Sequence, residues 1–219
     1  MSTVNSTVVT AIEQFLKKSN EELIQCMAMK VANGRKTEER YVALAKPCKL
    51  YTFTMAPRLK MVTGNHVLDL LEVRSTTLSE LCFRFKNATL QGESDFPDDF
   101  LNAMVAETER MFPGMGRSLY TLSVTPEDRI VAHTQTAAGA PDGEQAPCGG
   151  FANAYAAFAS YTGAAARRDV MWHIENVSQK QGSKTLDLHE FDTLQAADLQ
   201  ALFMALRSNT YFTRLALCE

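Results

Sequence analysis

The chain has 219 residues and a mass of 24.3 kDa, which is room for one large domain or two small ones. Apolar residues at 46% and charged residues at 21% are ordinary globular values and exclude a collagen-like or wholly disordered chain. Lys+Arg 22 against Asp+Glu 25 gives a formal charge of −3, so no polyelectrolyte character points to nucleic acid as a partner.

No apolar run reaches the ~20 residues of a spanning helix, and mean hydropathy is −0.16. The opening Met1-Ser-Thr-Val-Asn-Ser-Thr-Val-Val lacks the basic and apolar regions of a secretory signal, so a soluble, cytoplasmic chain is expected. Cys26, Cys48, Cys82, Cys148 and Cys218 are odd in number and form no CxxC pair, which suits reduced cysteines acting as small core hydrophobes. His66, His133, His173 and His189 show no ligand spacing with them, so neither a metal nor any other cofactor is expected.

In chain order, Val8, Ile12, Phe15 and Leu16 predict a short amphipathic helix that ends in Lys17-Lys18, where the macrodipole favours cations. From Leu23 to Phe85 short β-branched and aromatic segments alternate with turn signals such as Asn33-Gly34 and Gly64-Asn65. Strands are expected at Leu23 to Val31, Arg40 to Ala45, Leu50 to Met55, Val67 to Val73, Leu78 to Phe85 and Ala88 to Gln91. Spacings of roughly 8–12 residues predict an antiparallel meander or small barrel.

Ser94-Asp95-Phe96-Pro97-Asp98-Asp99 supplies capping residues, an early proline and first-turn acids, so a helix begins there. Its apolar face runs through Phe100, Leu101, Met104, Val105, Thr108, Met111 and Phe112 until Pro113-Gly114 stops it. Six or seven short strands and one closing helix follow the plan of a pleckstrin-homology domain, an antiparallel barrel capped by its C-terminal helix, so the fold class expected is α+β.

Ser118 to Val124 predicts another strand, and Thr134 to Pro147 reads as a flexible linker. Phe151, Tyr155, Phe158 and Thr162 predict a helix stopped by Gly163. Val170, Trp172 and Ile174 alternate like a strand, with Trp172 expected to be buried. Leu186-Asp187-Leu188 recurs 29 residues later as Leu215-Ala216-Leu217, and between them Leu194, Leu199, Leu202, Phe203 and Leu206 form a helical face. A strand-plus-helix unit of that period is the leucine-rich repeat, and about three units are needed for stability, so a truncated solenoid continuing past Glu219 is expected.

Pro147-Cys148-Gly149-Gly150-Phe151, Arg167-Arg168-Asp169-Val170-Met171-Trp172, Leu186-Asp187-Leu188-His189-Glu190-Phe191 and Asn209-Thr210-Tyr211-Phe212-Thr213-Arg214-Leu215 resemble the N-terminal part of CARMIL proteins, as does Phe112-Pro113-Gly114. The resemblance covers most of the chain from about Met111; earlier residues match in arrangement of elements more than in identity. It implies an N-terminal helix at 1–20, a pleckstrin-homology-like domain at 21–116, a linker and repeat cap at 117–184, and a first leucine-rich repeat at 185–219. It further implies a membrane-associated adaptor at the plasma membrane and actin cytoskeleton, whose contact with actin capping protein and whose dimerisation lie in regions absent here. A monomer without enzymatic activity is therefore expected.

The charge is unevenly spread. Residues 1–86 hold thirteen basic and eight acidic side chains, a balance of +5, which leaves −8 for the remainder. Lys30, Arg35, Lys36 and Arg40 flank the first hairpin, and Lys46, Lys49, Arg58 and Lys60 lie near the ends of the next strands. These eight are the candidate lipid-binding residues, with Glu38 and Glu39 as a counterweight. At roughly 1 kcal/mol per basic residue near an anionic leaflet, half of them give about 4 kcal/mol, a millimolar-class contact. No phosphoinositide-gripping triplet of a lysine followed by Lys/Arg-x-Arg is present, so the expected attraction to anionic lipid is non-specific. The alternative is a protein-interaction module that binds a peptide or small GTPase without lipid. Cys148 precedes a helix N-terminus, where a thiol pKa falls, and His173 or His133 stands as a conceivable base. No protease-type signature surrounds it, and the competing account is a tight turn whose glycines permit close backbone approach. Phosphate loops, dinucleotide fingerprints and paired-carboxylate motifs are missing.

Overall fold

A computed structural model describes residues 4–115, 118–130 and 146–217. They divide into two compact units, one formed by residues up to Thr108 with 118–130, the other by Glu109–Met115 and 146–217.

The first unit is built on one twisted sheet. Its strands are β1 (Leu23–Asn33), β2 (Lys36–Ala45), β3 (Lys49–Met55), β4 (Leu59–His66), β5 (Leu70–Ser75), β6 (Glu80–Phe85), β7 (Thr89–Glu93) and β8 (Thr121–Val124), in the order β4-β3-β2-β1-β7-β6-β5-β8. Neighbours from β4 through β5 are antiparallel, and β8 adds in parallel beside β5. Two helices accompany them, α1 (Ser6–Lys18) and α2 (Pro97–Met111). This α+β arrangement, a largely antiparallel sheet followed by a helix, is compatible with a pleckstrin-homology-like fold.

Strand alternation explains where α1 goes. Along β2 the residues Tyr41, Ala43 and Ala45 lie on one face of the sheet, and Val42 and Leu44 on the other; all five are buried. The first face joins Cys26 and Phe53 in a core cluster with Val8, Ile12 and Leu16 of α1, and the small Ala43 and Ala45 let the helix approach closely. Phe15 meets the Phe53 ring edge-on at 5.2 Å. Asn5 caps α1 by accepting the Thr7 N–H at 2.9 Å. On α2, Phe100, Leu101, Met104 and Val105 are buried, and Phe100 meets Phe83 of β6 at 6.0 Å.

The second unit holds α3 (Pro147–Thr162), α4 (Arg168–His173), which runs on through a π-helical turn (Ile174–Ser178) to Gln179–Gln181, then β9 (Thr185–Asp187), α5 (Ala196–Ser208) and β10 (Arg214–Ala216). Helices α3 and α5 pack along alanine-rich faces that include Ala154, Ala157, Ala201 and Ala205. The two Leu-x-Leu segments pair in parallel with Leu186 opposite Leu215, so the 29-residue offset of the sequence becomes one step between strands.

Several expectations change. Residues 170–174 are helical, and Trp172 is 60% exposed. The buried positions are Val170, Ile174 and Ser178, spaced by four, and a four-residue period also satisfies the two-residue alternation that suggests a strand. Strand β4 was not expected, and Gly64-Asn65 lies inside it instead of in a turn. Glycine is needed there because a Cβ on Gly64 would meet the Tyr51 ring at 2.8 Å. Val67–Asp69 is a 3₁₀ turn before β5, and β8 starts at Thr121. Of the linker expected at Thr134 to Pro147, residues 134–145 lie outside the described residues, like Cys218 and His133, while Ala146 and Pro147 already form the N-cap and first position of α3.

Candidate functional site

The meander β1–β4 sorts the basic residues by end. Successive antiparallel strands put the β1–β2 and β3–β4 turns at one end and the β2–β3 turn at the other. Arg35 and Lys36 occupy the β1–β2 turn and the start of β2, while Arg58 and Lys60 flank the start of β4. All four side chains are exposed, and among the described residues no ion pair holds them. Continuing the β2–β3 register from Tyr41 opposite Phe53 brings Met55 level with Glu39. The first hairpin thus overhangs the second by about 10 Å, three residues at strand rise.

The other four candidates do not join them in the same way. Lys30 is exposed but sits opposite Glu39 on β2 and Glu93 on β7. Arg40 is held by Glu38 on its own strand, Nη2 to carboxylate 3.0 Å. Lys46 and Lys49 lie at the opposite end, where Lys46 pairs with Glu22 at 3.0 Å and Lys49 with Glu21 at 2.8 Å. Glu21 also accepts the Tyr51 hydroxyl at 2.7 Å; burial and that bond push the Tyr51 hydroxyl well above its usual pKa. Tyr41 donates to Glu39 at 2.5 Å, and this bond, with burial, raises its pKa to about 12.

One feature of this end escapes a search for charge alone. No carboxylate occurs between Glu39 and Asp69, a span of 29 residues that contains β3 and β4. Within it Met61 and Val62 of β4 are 42% and 40% exposed, next to Lys60. The missing acids were visible in the sequence; the exposure was not, because it depends on β4 being the sheet edge.

In the second unit, residues from three of the segments that carry the family resemblance, those holding Pro113, Cys148–Gly150 and Asn209, meet at one turn. Cys148, Gly149 and Gly150 all adopt left-handed backbone, with φ of 47°, 65° and 75°. A Cβ on Gly150 would stand 2.5 Å from Pro113 Cγ, so only glycine fits. Asn209 closes the turn: its amide donates to the Cys148 and Gly149 carbonyls at 3.0 and 3.2 Å, and its oxygen accepts the Tyr211 and Phe212 N–H groups at 3.0 and 3.1 Å. Lys184 lies 3.4 Å from the centre of the Tyr211 ring. Arg167 donates to Asp169 at 2.5 Å and to the Asp192 carbonyl at 2.8 Å, and its guanidinium holds the Asp169 carboxyl below the usual range.

Cys148 is accordingly a structural thiol. It is fully buried, its Sγ donates to the Ile174 carbonyl at 3.4 Å, and burial raises its pKa, against the lowering expected from a helix N-terminus. The left-handed turn interposes between Cys148 and the regular part of α3, so the thiol does not see an ordinary helix end. His173 instead packs edge-on against Phe191 at 5.3 Å, and His189 Nε2 lies 2.9 Å from the Leu217 carbonyl. Among the described residues no group of His, Cys, Asp and Glu is arranged to hold a metal ion, and no helix is long and apolar enough to cross a membrane.

No family model matches the chain. Curated proteins do. It is 23% identical over 204 residues, 92% of its length, to the Rho GTPase-activating protein gacW of Dictyostelium discoideum. It is 22% identical over 205 residues, 90% of its length, to Protein CARMIL of the same organism. To capping protein, Arp2/3 and myosin-I linker protein 3 of Mus musculus it is 21% identical over 184 residues, 83% of its length. It spans 18%, 19% and 13% of the lengths of these three relatives, respectively. Across most of its 219 residues, this chain is related to the CARMIL family.

Proposed function

We propose that this chain is a non-enzymatic, membrane-facing part of a cytoskeletal regulator, in which the first unit contacts anionic lipid and the second begins a repeat scaffold. Support for the cytoskeletal role comes from the names of its relatives, a Rho GTPase-activating protein and two proteins of the CARMIL type. For the domain layout we keep an N-terminal helix at 1–20, a pleckstrin-homology-like domain at 21–116, a linker and cap at 117–184 and a first leucine-rich repeat at 185–219. The strand order of the first unit and the parallel β9–β10 step support that layout.

The observation that carries the lipid reading is the set of Arg35, Lys36, Arg58 and Lys60 at one end of the meander, beside a span without carboxylates. At about 1 kcal/mol for each basic residue near an anionic leaflet, the four supply about 4 kcal/mol, a millimolar contact that recruits weakly and reversibly. Lys30, matched by two glutamates across its neighbouring strands, adds little. Working against a membrane of this kind, the protein acts at the cytoplasmic leaflet as a monomer whose residence there depends on further contacts. Co-sedimentation with phosphatidylcholine vesicles, with and without phosphatidylserine, tests the reading. Binding to the phosphatidylserine vesicles at low salt, fading steeply as ionic strength rises, is expected. No binding to them at low salt would end it, and salt-insensitive binding to neutral vesicles would contradict its electrostatic basis.

A further inference from the structure

We infer that the β3–β4 edge is a bilayer-inserting element, with Met61 and Val62 as the residues that enter the acyl region of an anionic membrane. The inference deepens the lipid reading above and rests on it. β4 is the terminal strand of the eight-stranded sheet. Its pairing with β3 slips by one residue: Thr52 faces Thr63 while the next residue, Phe53, faces Met61, so Val62 is left without an opposite number. This is a β-bulge, and bulges bend an edge strand and re-aim its side chains. Here the two residues at the bulge are apolar and about two-fifths exposed, on a strand whose residues from Lys60 to Gly64 are all exposed.

The surroundings choose the occupant. Arg58 and Lys60 immediately precede the apolar pair, and no carboxylate occurs from Arg40 through Leu68. Apolar side chains adjoined on one side by cations match the order of a leaflet, in which anionic headgroups lie above hydrocarbon. A pairing peptide strand suits the edge less well, because the bulge interrupts the regular ladder of donors and acceptors that strand addition copies. Exposure alone does not single out the site. Leu78, in the β5–β6 turn, is 71% exposed, but it stands beside Glu80, and Arg129 donates to the adjacent Thr77 carbonyl at 2.9 Å, which brings the Glu127-Asp128 segment to the same turn. An anionic leaflet is repelled there.

The test replaces the single tryptophan with phenylalanine (Trp172→Phe) and then introduces Met61→Trp, Val62→Trp or Leu78→Trp, one at a time, in the full chain. Each is mixed at low salt with phosphatidylcholine–phosphatidylserine vesicles whose acyl chains carry bromine, a contact quencher of tryptophan. Quenching and a blue shift at positions 61 and 62, absent at 78, are the expected results. In parallel, Met61→Ser/Val62→Ser is expected to weaken vesicle binding about tenfold, the effect of withdrawing two partly buried aliphatic side chains from the bilayer. Vesicle binding without quenching at 61 and 62, or an unchanged affinity in the double serine variant, would overturn the inference and leave the electrostatic contact standing. Failure of the unsubstituted chain to bind at all would remove both.

Discussion

Asn209 serves two turns with one side chain, donating to two carbonyls of the left-handed 148–150 turn and accepting two N–H groups from 211 and 212. Its loss would leave several backbone groups without partners in a partly buried site. Asn209→Ala is therefore expected to lower stability by about 2–3 kcal/mol, measured by urea denaturation. The raised tyrosine pKa values make a second residue-scale prediction. Tyr41 and Tyr51 are stabilised as neutral donors to Glu39 and Glu21, so the folded state holds their protons more tightly than the unfolded chain does. Their contribution is fully present below pH 10, the ordinary tyrosine value, and is lost as pH rises toward and beyond about 12. Absorbance titration of the folded protein is expected to show these two phenols ionising later than in denaturant. The residues that carry the family resemblance were legible as motifs, but their partnership was not: Pro113, Gly150 and Asn209 are far apart in sequence, and only the fold reveals that one turn needs all three.

At the scale of elements, α1 covers an outer face of the β1–β3 sheet that would otherwise expose Tyr41, Ala43, Phe53 and Cys26. Ile12, fully buried in that contact, is the clearest probe. Ile12→Ala is expected to cost about 2–5 kcal/mol, read from the denaturation midpoint, with the helical content of α1 falling if the helix detaches. The helix itself could be read from its period, because Val8, Ile12 and Leu16 sit four residues apart. Its docking place could not, although the unbroken apolar run Tyr-Val-Ala-Leu-Ala in β2 already implied a strand buried on both faces. β4 is hidden in the sequence for the opposite reason. An edge strand with one bulge and five consecutive exposed residues carries no alternating pattern, and its Gly64 imitates a turn. The helix around Trp172 looks like a strand in sequence because its buried positions, spaced by four, mimic a two-residue alternation.

For the whole molecule, the formal charge of −3 conceals a +5 segment over residues 1–86 and −8 over the remainder. That division was readable from sequence, but the sequence grouped eight basic residues where the fold leaves four at one end outside any ion pair among the described residues and commits Arg40, Lys46 and Lys49 to ion pairs. Under the proposed lipid reading, geometry more than net charge would choose the end that meets the membrane. The most direct measurement compares two equal charge reversals at opposite ends of the same meander, Lys36→Glu and Lys46→Glu, by co-sedimentation with phosphatidylserine-containing vesicles at low salt. The account predicts that Lys36→Glu weakens binding roughly tenfold or more, while Lys46→Glu changes it little. Equal losses from both substitutions would show that bulk charge governs the contact and would contradict a site at the β1–β2 and β3–β4 turns.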